Sequence, residues 1–238
     1  MKKLFFLFLF VSTFSAKSQS GFAFVELFTS EGSDVSPVGE EILNRVVSEE
    51  KKLGNKVFVL EYHVDYWNNR GWKDPYSKYQ YTMRQENYSR VLIEKELYTP
   101  EVVVNGMKSF SATKERTVRD EIKLAIRNPL KEELKIVKDS ISKDTLFLSY
   151  TFTHESNNAA FRVAITQSGL TNTVLAGENK SKTLVHENVV QLLYSFDGVY
   201  RKRQVKIPLG KLSLGADFRI IGFIQRKQTM VIEAAAEL

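Results

Sequence analysis

An α/β domain followed by a small antiparallel β-sandwich-like module is the fold class this sequence predicts. Three observations predict it. Up to residue 128, apolar strand-like runs alternate with segments of helical period. From residue 129 on, short alternating strand patterns replace the helices. The chain has 238 residues, of which 43% are hydrophobic, with 16 Phe and 10 Tyr, enough for a core in each part. The expected division is residues 1–20 as a leader, 21–128 as the α/β domain and 129–238 as the β-rich part.

The leader begins with Lys2 and Lys3, continues through the apolar run Leu4 to Val11, and ends in small residues from Ser12 to Ser18. This is the pattern of a secretory signal peptide, with cleavage expected after Ser18 or Ser20. The run is shorter than the roughly 20 residues a membrane span needs. No membrane span is expected after cleavage, and the expected location is the periplasm or the medium. Lys2, Lys3 and Lys17 leave with the leader, which carries no acid, so the formal charge falls from +6 to +3. That balance, with Tyr200-Arg-Lys-Arg203 as the densest basic patch, gives no reason to expect nucleic acid as a partner. Cysteine is absent, so disulfides and thiolate metal sites are excluded even where export would permit them.

The elements follow in order. Gly21 to Thr29, rich in Phe, Val and Leu, reads as a buried central strand. Gly32 permits a turn, and Pro37 opens a helix in which Val38, Ile42, Leu43, Val46 and Val47 share a face. Gly54-Asn55 stops it near Lys52. Lys56 to Val64 is a second strand, parallel to the first because a helix connects them. Asp65 to Tyr81 holds both tryptophans, and a helix is expected from near Pro75 through Leu92. Glu101 to Val104 is a strand, and Asn105-Gly106 turns it into an antiparallel partner over Met107 to Phe110. Ala112 to Ile126 is a helix closed by Pro129. Strands then follow at Leu134–Lys138, Thr145–Thr153, Phe161–Gln167, Val205–Leu209, Phe218–Gln225 and Met230–Ala236.

The order strand, helix, strand, helix, strand, hairpin strand, helix resembles the thioredoxin fold. More narrowly, the chain resembles an uncharacterised family of secreted, thioredoxin-like bacterial proteins, a domain of unknown function. The residues that carry this are Val25-Glu-Leu-Phe-Thr-Ser30 with Gly32, His63-Val-Asp-Tyr-Trp67 with Gly71-Trp-Lys-Asp-Pro75, Arg84-Gln85, Tyr98-Thr-Pro100 with Val103-Val-Asn-Gly106, and His186-Glu-Asn-Val-Val190. Members of that family carry a Cys-x-x-Cys pair followed by proline. Here the pair aligns with Ser33 and Ser36, ahead of Pro37. The resemblance also implies a cis bond at Thr99-Pro100, facing the former redox positions.

Disulfide exchange needs a thiolate that attacks sulfur and can also leave. Ser33 and Ser36 do neither, so thiol–disulfide oxidoreductase chemistry is excluded. Their expected role is to cap the helix that follows. His63, with Asp65 nearby, could serve as a base for Ser33 or as a metal ligand; no further ligands stand at a recognisable spacing. The expectation for His63 is a histidine tied into the aromatic loop. His186-Glu-Asn188 reads the same way, or as part of the interface between the two halves. Trp67 and Trp72 offer a wall to a ligand or a small core of their own.

The expected function is therefore an exported, redox-inactive protein that binds an unidentified envelope peptide or protein. The expected groove comprises Ser33, Ser36 and Pro37, with Thr99, Pro100, His63, Asp65, Trp67 and Trp72 around it. No cofactor and no metal are expected. The alternatives are a hydrolase or transferase using Ser33 with His63, or a divergent oxidoreductase relative with a residual non-redox role.

Overall fold

A computed structural model describes residues 21–93, 96–128 and 132–238. The leader at 1–20 and the division at residue 129 lie outside the described residues, as does Pro129.

The first half contains β1 (Ala23–Thr29), α1 (Ser36–Lys52), β2 (Val57–His63), α2 (Tyr79–Leu92), β3 (Glu101–Val104), β4 (Lys108–Ser111) and α3 (Glu115–Arg127). β1 pairs parallel with β2 and antiparallel with β3, and β3 pairs with β4. The β3–β4 turn has positive φ at Asn105 (50°) and Gly106 (67°), as a tight hairpin requires. A Cβ on Gly106 would stand 2.0 Å from the Met230 carbonyl oxygen, so this turn also admits the C-terminal chain. α2 starts later than its sequence implied. Residues 65–78 form turns before it.

The second half contains β5 (Leu134–Ser142), β6 (Thr145–Phe152), β7 (Ser156–Gln167), β8 (Leu170–Thr173), β9 (Thr183–His186), β10 (Val189–Val199), β11 (Lys202–Pro208), β12 (Phe218–Arg226) and β13 (Ile232–Glu237). These strands do not make a separate sandwich, and the predicted fold class is corrected here. The largest sheet has eight strands in the order β13-β12-β7-β10-β2-β1-β3-β4, mixed parallel and antiparallel. Among the described residues, strands make up 43% and three helices 21%. The reason is β10, which the sequence reading left out. It pairs with β7 along most of its length and meets β2 in parallel at Val189 and Glu61. The Glu61 N–H donates to the Asn188 carbonyl at 2.9 Å across this junction. One sheet thus runs through both halves.

Alternation along the strands sorts the core into layers. Phe22 just before β1, Phe24 and Phe28 of β1, Leu60 and Tyr62 of β2, Ala164 of β7 and Phe223 of β12 meet Tyr81 and Tyr88 of α2 on one face. Ala23, Val25 and Leu27 of β1 and Val57 and Val59 of β2 face α1 and α3. Phe161, Val163 and Ile165 of β7 pack on the three-stranded sheet β11-β6-β5. β8 and β9 form a two-stranded hairpin apart from both sheets. Among the described residues, no helix is long and apolar enough to cross a membrane.

Candidate functional site

On the α1 face of β2, the row Val57, Val59 continues as Glu61 and His63. On β1, the row Ala23, Val25, Leu27 continues as Thr29. Both rows are fully buried, so their polar ends must find partners inside the protein. They lie at the carboxyl ends of two parallel strands, the place where sheets of this kind leave a crevice. Glu40 enters from the first turns of α1, Glu31 from the loop before it, Asp74 from the aromatic segment and His186 from the end of β9.

These seven side chains form one buried cluster. His63 Nδ1 lies 2.7 Å from Asp74 Oδ2, and His63 Nε2 lies 3.0 Å from Glu61 Oε1. His186 Nε2 lies 3.0 Å from Glu31 Oε1. His186 Nδ1 lies 2.9 Å from Glu40 Oε2 and 3.5 Å from Glu61 Oε1. The two imidazole rings meet edge to face at 4.7 Å. Neutral donors complete the carboxylates. Thr29 Oγ1 donates to Glu40 at 2.5 Å, Trp72 Nε1 to Glu31 at 2.7 Å, and the Glu31 N–H to Asp74 at 2.8 Å. Among the described residues, no lysine or arginine pairs with any of the four carboxylates.

The charges follow from these contacts. Burial disfavours an imidazolium at His63, but the charge and hydrogen bond of Asp74, with Glu61 behind them, outweigh it and raise its pKa to about 10. Burial opposes the His186 charge too, and hydrogen bonds to Glu31, Glu40 and Glu61 override it, holding its pKa well above the ordinary value. Glu61 is lowered, because both imidazoles outweigh its burial. Glu40 is raised by burial and by the charge of Glu61. Two imidazoles thus stand among four carboxyl groups, one of which, Glu40, is biased toward its neutral form.

The family model described as "Protein of unknown function (DUF1223)" matches residues 24–225. The chain belongs to the DUF1223 family. It is similar to the crystal structure of Protein AGR_C_4864 from Agrobacterium tumefaciens, with 23% identity and a TM-score of 0.66 over 93% of this chain and 96% of that one. That likeness supports the fold alone. A domain of the outer membrane lipoprotein Omp28 from Porphyromonas gingivalis matches 45% of this chain and 94% of its own length, at 12% identity and a TM-score of 0.23. No curated protein matches.

In this DUF1223 chain the residues singled out from sequence take several places. Ser33 and Ser36 are fully buried, and neither hydroxyl has a hydrogen-bond partner among the described residues. They cap nothing: α1 has Val35 at its N-cap position and no side-chain cap. Pro37, half-buried, stands at the start of α1. Thr99-Pro100 is cis. Both of its residues are buried, and Pro100 packs so closely on α1 that a Cβ on Gly39 would stand 2.4 Å from its Cγ. Ser33, Ser36, Thr99 and Pro100 therefore line no open groove. His63 spends both ring nitrogens on Asp74 and Glu61, with no hydrogen bond to Ser33. Asp65 turns away, accepting from Thr82 Oγ1 at 2.6 Å. Trp72 joins the cluster through Glu31, whereas Trp67 stacks under Arg70 at 4.3 Å.

The β8–β9 hairpin closes over this region. Asn172 Nδ2 donates to both oxygens of Glu31, at 3.0 and 2.8 Å. Asn179, in the connection between the two strands, donates to the carbonyls of Glu31 and Ser33 at 2.8 Å each. Glu31, Glu40, Glu61 and Asp74 were not singled out from sequence. The one available signal was Glu61, a charged residue within an apolar run.

Proposed function

We propose that this protein is an exported, redox-inactive protein that binds a divalent transition-metal ion at Glu61, His63, His186 and Glu40. The observation that carries the reading is the spacing of donor atoms. Glu61, His63 and His186 each offer a ligand atom, all within 4.8 Å of one another. Neighbouring donors stand 2.9–3.5 Å apart. Tetrahedral bonds of about 2.0–2.1 Å put ligand atoms roughly 3.3 Å apart, so little rearrangement is needed. The outer ring nitrogens are already held by carboxylates, Asp74 on His63 and Glu31 on His186, the arrangement that orients a ligating histidine. Two imidazoles with carboxylates suit zinc, manganese or iron(II) better than magnesium or calcium.

On entry, the ion displaces the protons on His63 Nε2 and His186 Nδ1, which leave to solvent, and it offsets the negative charge of the carboxylates. Export is supported by the leader pattern, and redox inactivity by the absence of cysteine.

The test is calorimetric titration of chelator-treated protein with Zn²⁺, Mn²⁺ and Mg²⁺ at several pH values. One transition-metal ion per chain is expected, binding more tightly as pH rises because protons are released. Asp74→Asn, which keeps every ligand, is expected to weaken binding by about 10- to 100-fold. Absence of stoichiometric binding, or unchanged binding in a His63→Gln/His186→Gln chain, would overturn the reading.

A further inference from the structure

The opposite face of the sheet carries a second feature, independent of the histidine cluster. A cleft of about 450 Å³ opens between α2 and the sheet. Its charged lining is Arg84 and Arg90 of α2, Arg162 of β7 and Lys227 after β12, with no acidic residue. Its apolar lining is Met83, Val91, Leu193 and Met230.

Three of these cations are engaged to different degrees. Arg84 is locked by Glu26 at 2.7 Å and by Gln225 at 3.2 Å. Arg90 pairs with Glu86 at 3.2 Å and Lys227 with Asp197 at 3.4 Å, both at the solvent edge, where such pairs contribute little. Arg162 differs. Its Nε is buried without a hydrogen-bond partner, and it makes no direct ion pair among the described residues, the charge of Glu26 reaching it without contact. Burial and the like charge of Arg84 both press its pKa down. A buried guanidinium donor without an acceptor is costly in a native protein. An anion between Arg162 and the α2 cations would satisfy it and relieve the repulsion.

The remaining lining decides the rest of the ligand. Four apolar side chains are more than a bare anion needs, and the volume suits a small molecule. We propose that this cleft binds a small anionic amphiphile, one carboxylate or phosphate group joined to a hydrocarbon tail. The anionic group sits on Arg162, flanked by Arg90 and Lys227. The tail lies along Met83, Val91, Leu193 and Met230.

The test uses purified protein and five probes: decanoate, decyl phosphate, decanol, decyltrimethylammonium and inorganic phosphate. Saturable binding is measured by calorimetry and by thermal shift. Decanoate, decyl phosphate or both are expected to bind roughly tenfold or more tightly than decanol, as a charge-assisted contact implies, and to weaken with added salt. The preference between these two identifies the anion. Arg162→Gln is expected to remove that advantage. Asn87→Glu, on the exposed surface of α2 at the cleft, tests the same point without touching the core and is expected to weaken both anions. Lys51→Gln, on α1, is expected to change nothing. Decanol binding as tightly as decanoate, inorganic phosphate binding as tightly as decyl phosphate, no saturable binding, or anion binding unchanged in both cleft variants would each overturn the assignment.

Discussion

His63 holds its proton because Asp74 and Glu61 flank its ring, and this fixes how the metal-free protein responds to pH. Its pKa rises from an ordinary 6.5 to about 10, so the stability it contributes is fully present below 6.5 and is lost as pH climbs toward 10. His186 is raised as well and acts in the same direction. Glu40, raised by burial and by Glu61, adds to the loss as it is forced to ionise. Glu61 and Asp74 are lowered, so their contributions are present above their ordinary values of 4.5 and 3.8 and fade in acid. Chelator-treated protein should therefore melt highest between about pH 4.5 and 6.5, and its Tm should fall steadily from there to pH 10. His63→Gln should flatten that fall, and a Tm that rises over the same range would contradict this account. Sequence reading found His63, Ser33 and Ser36 as positions of interest. It missed Glu31, Glu40 and Asp74 because a carboxylate in a loop or early helix reads as a solvated one. Only the arrival of His186, from far along the chain, makes them a cluster.

The helices and most strands of the first half follow from local signals. Pro37 set the start of α1, Gly54-Asn55 its end, and Asn105-Gly106 the β3–β4 hairpin. The β8–β9 hairpin had no such signal. Its strands, Leu-Thr-Asn-Thr and Thr-Leu-Val-His, are four residues each and mostly polar. What holds it in place is long-range: Asn172, Asn179 and His186 reaching Glu31, Ser33 and Glu40. Asn179→Ala should leave the buried Glu31 carbonyl without its donor, and the Ser33 carbonyl with the Ser36 N–H at 3.3 Å alone, and cost about 1–3 kcal/mol, a drop of several degrees in Tm for a chain of this size. Native-state hydrogen exchange should show the amides of β8 and β9 opening well before those of β1 and β2, and before any in the wild-type hairpin. Equal protection of hairpin and central strands in the variant would refute the anchoring role.

At the scale of the molecule, the sequence misled through a single strand. β10 has no clean alternation, because bulges interrupt its pairing after Val190 and around Asp197, Gly198 and Val199. Without it the chain divides at residue 129. With it, β2 has a neighbour on each side and the aromatic core on the α2 face draws on both halves. A fragment of residues 21–128 should therefore not fold: it would expose the edge of β2 and lose Val190, Ile221, Phe223 and Ile232 from that core. Circular dichroism and amide NMR dispersion would show this, and a well-dispersed, cooperatively melting fragment would argue for two domains. The β2–β10 junction also sets a timetable. Glu61 meets Val189 only when most of the chain has been synthesised, so the middle of the sheet closes late. Until then a growing chain carries β1 and β2 with an open, strongly apolar edge, the kind of surface on which chaperones act and nascent chains cross-pair. For this protein, the hazardous interval is the one before residues 189–199 join the sheet.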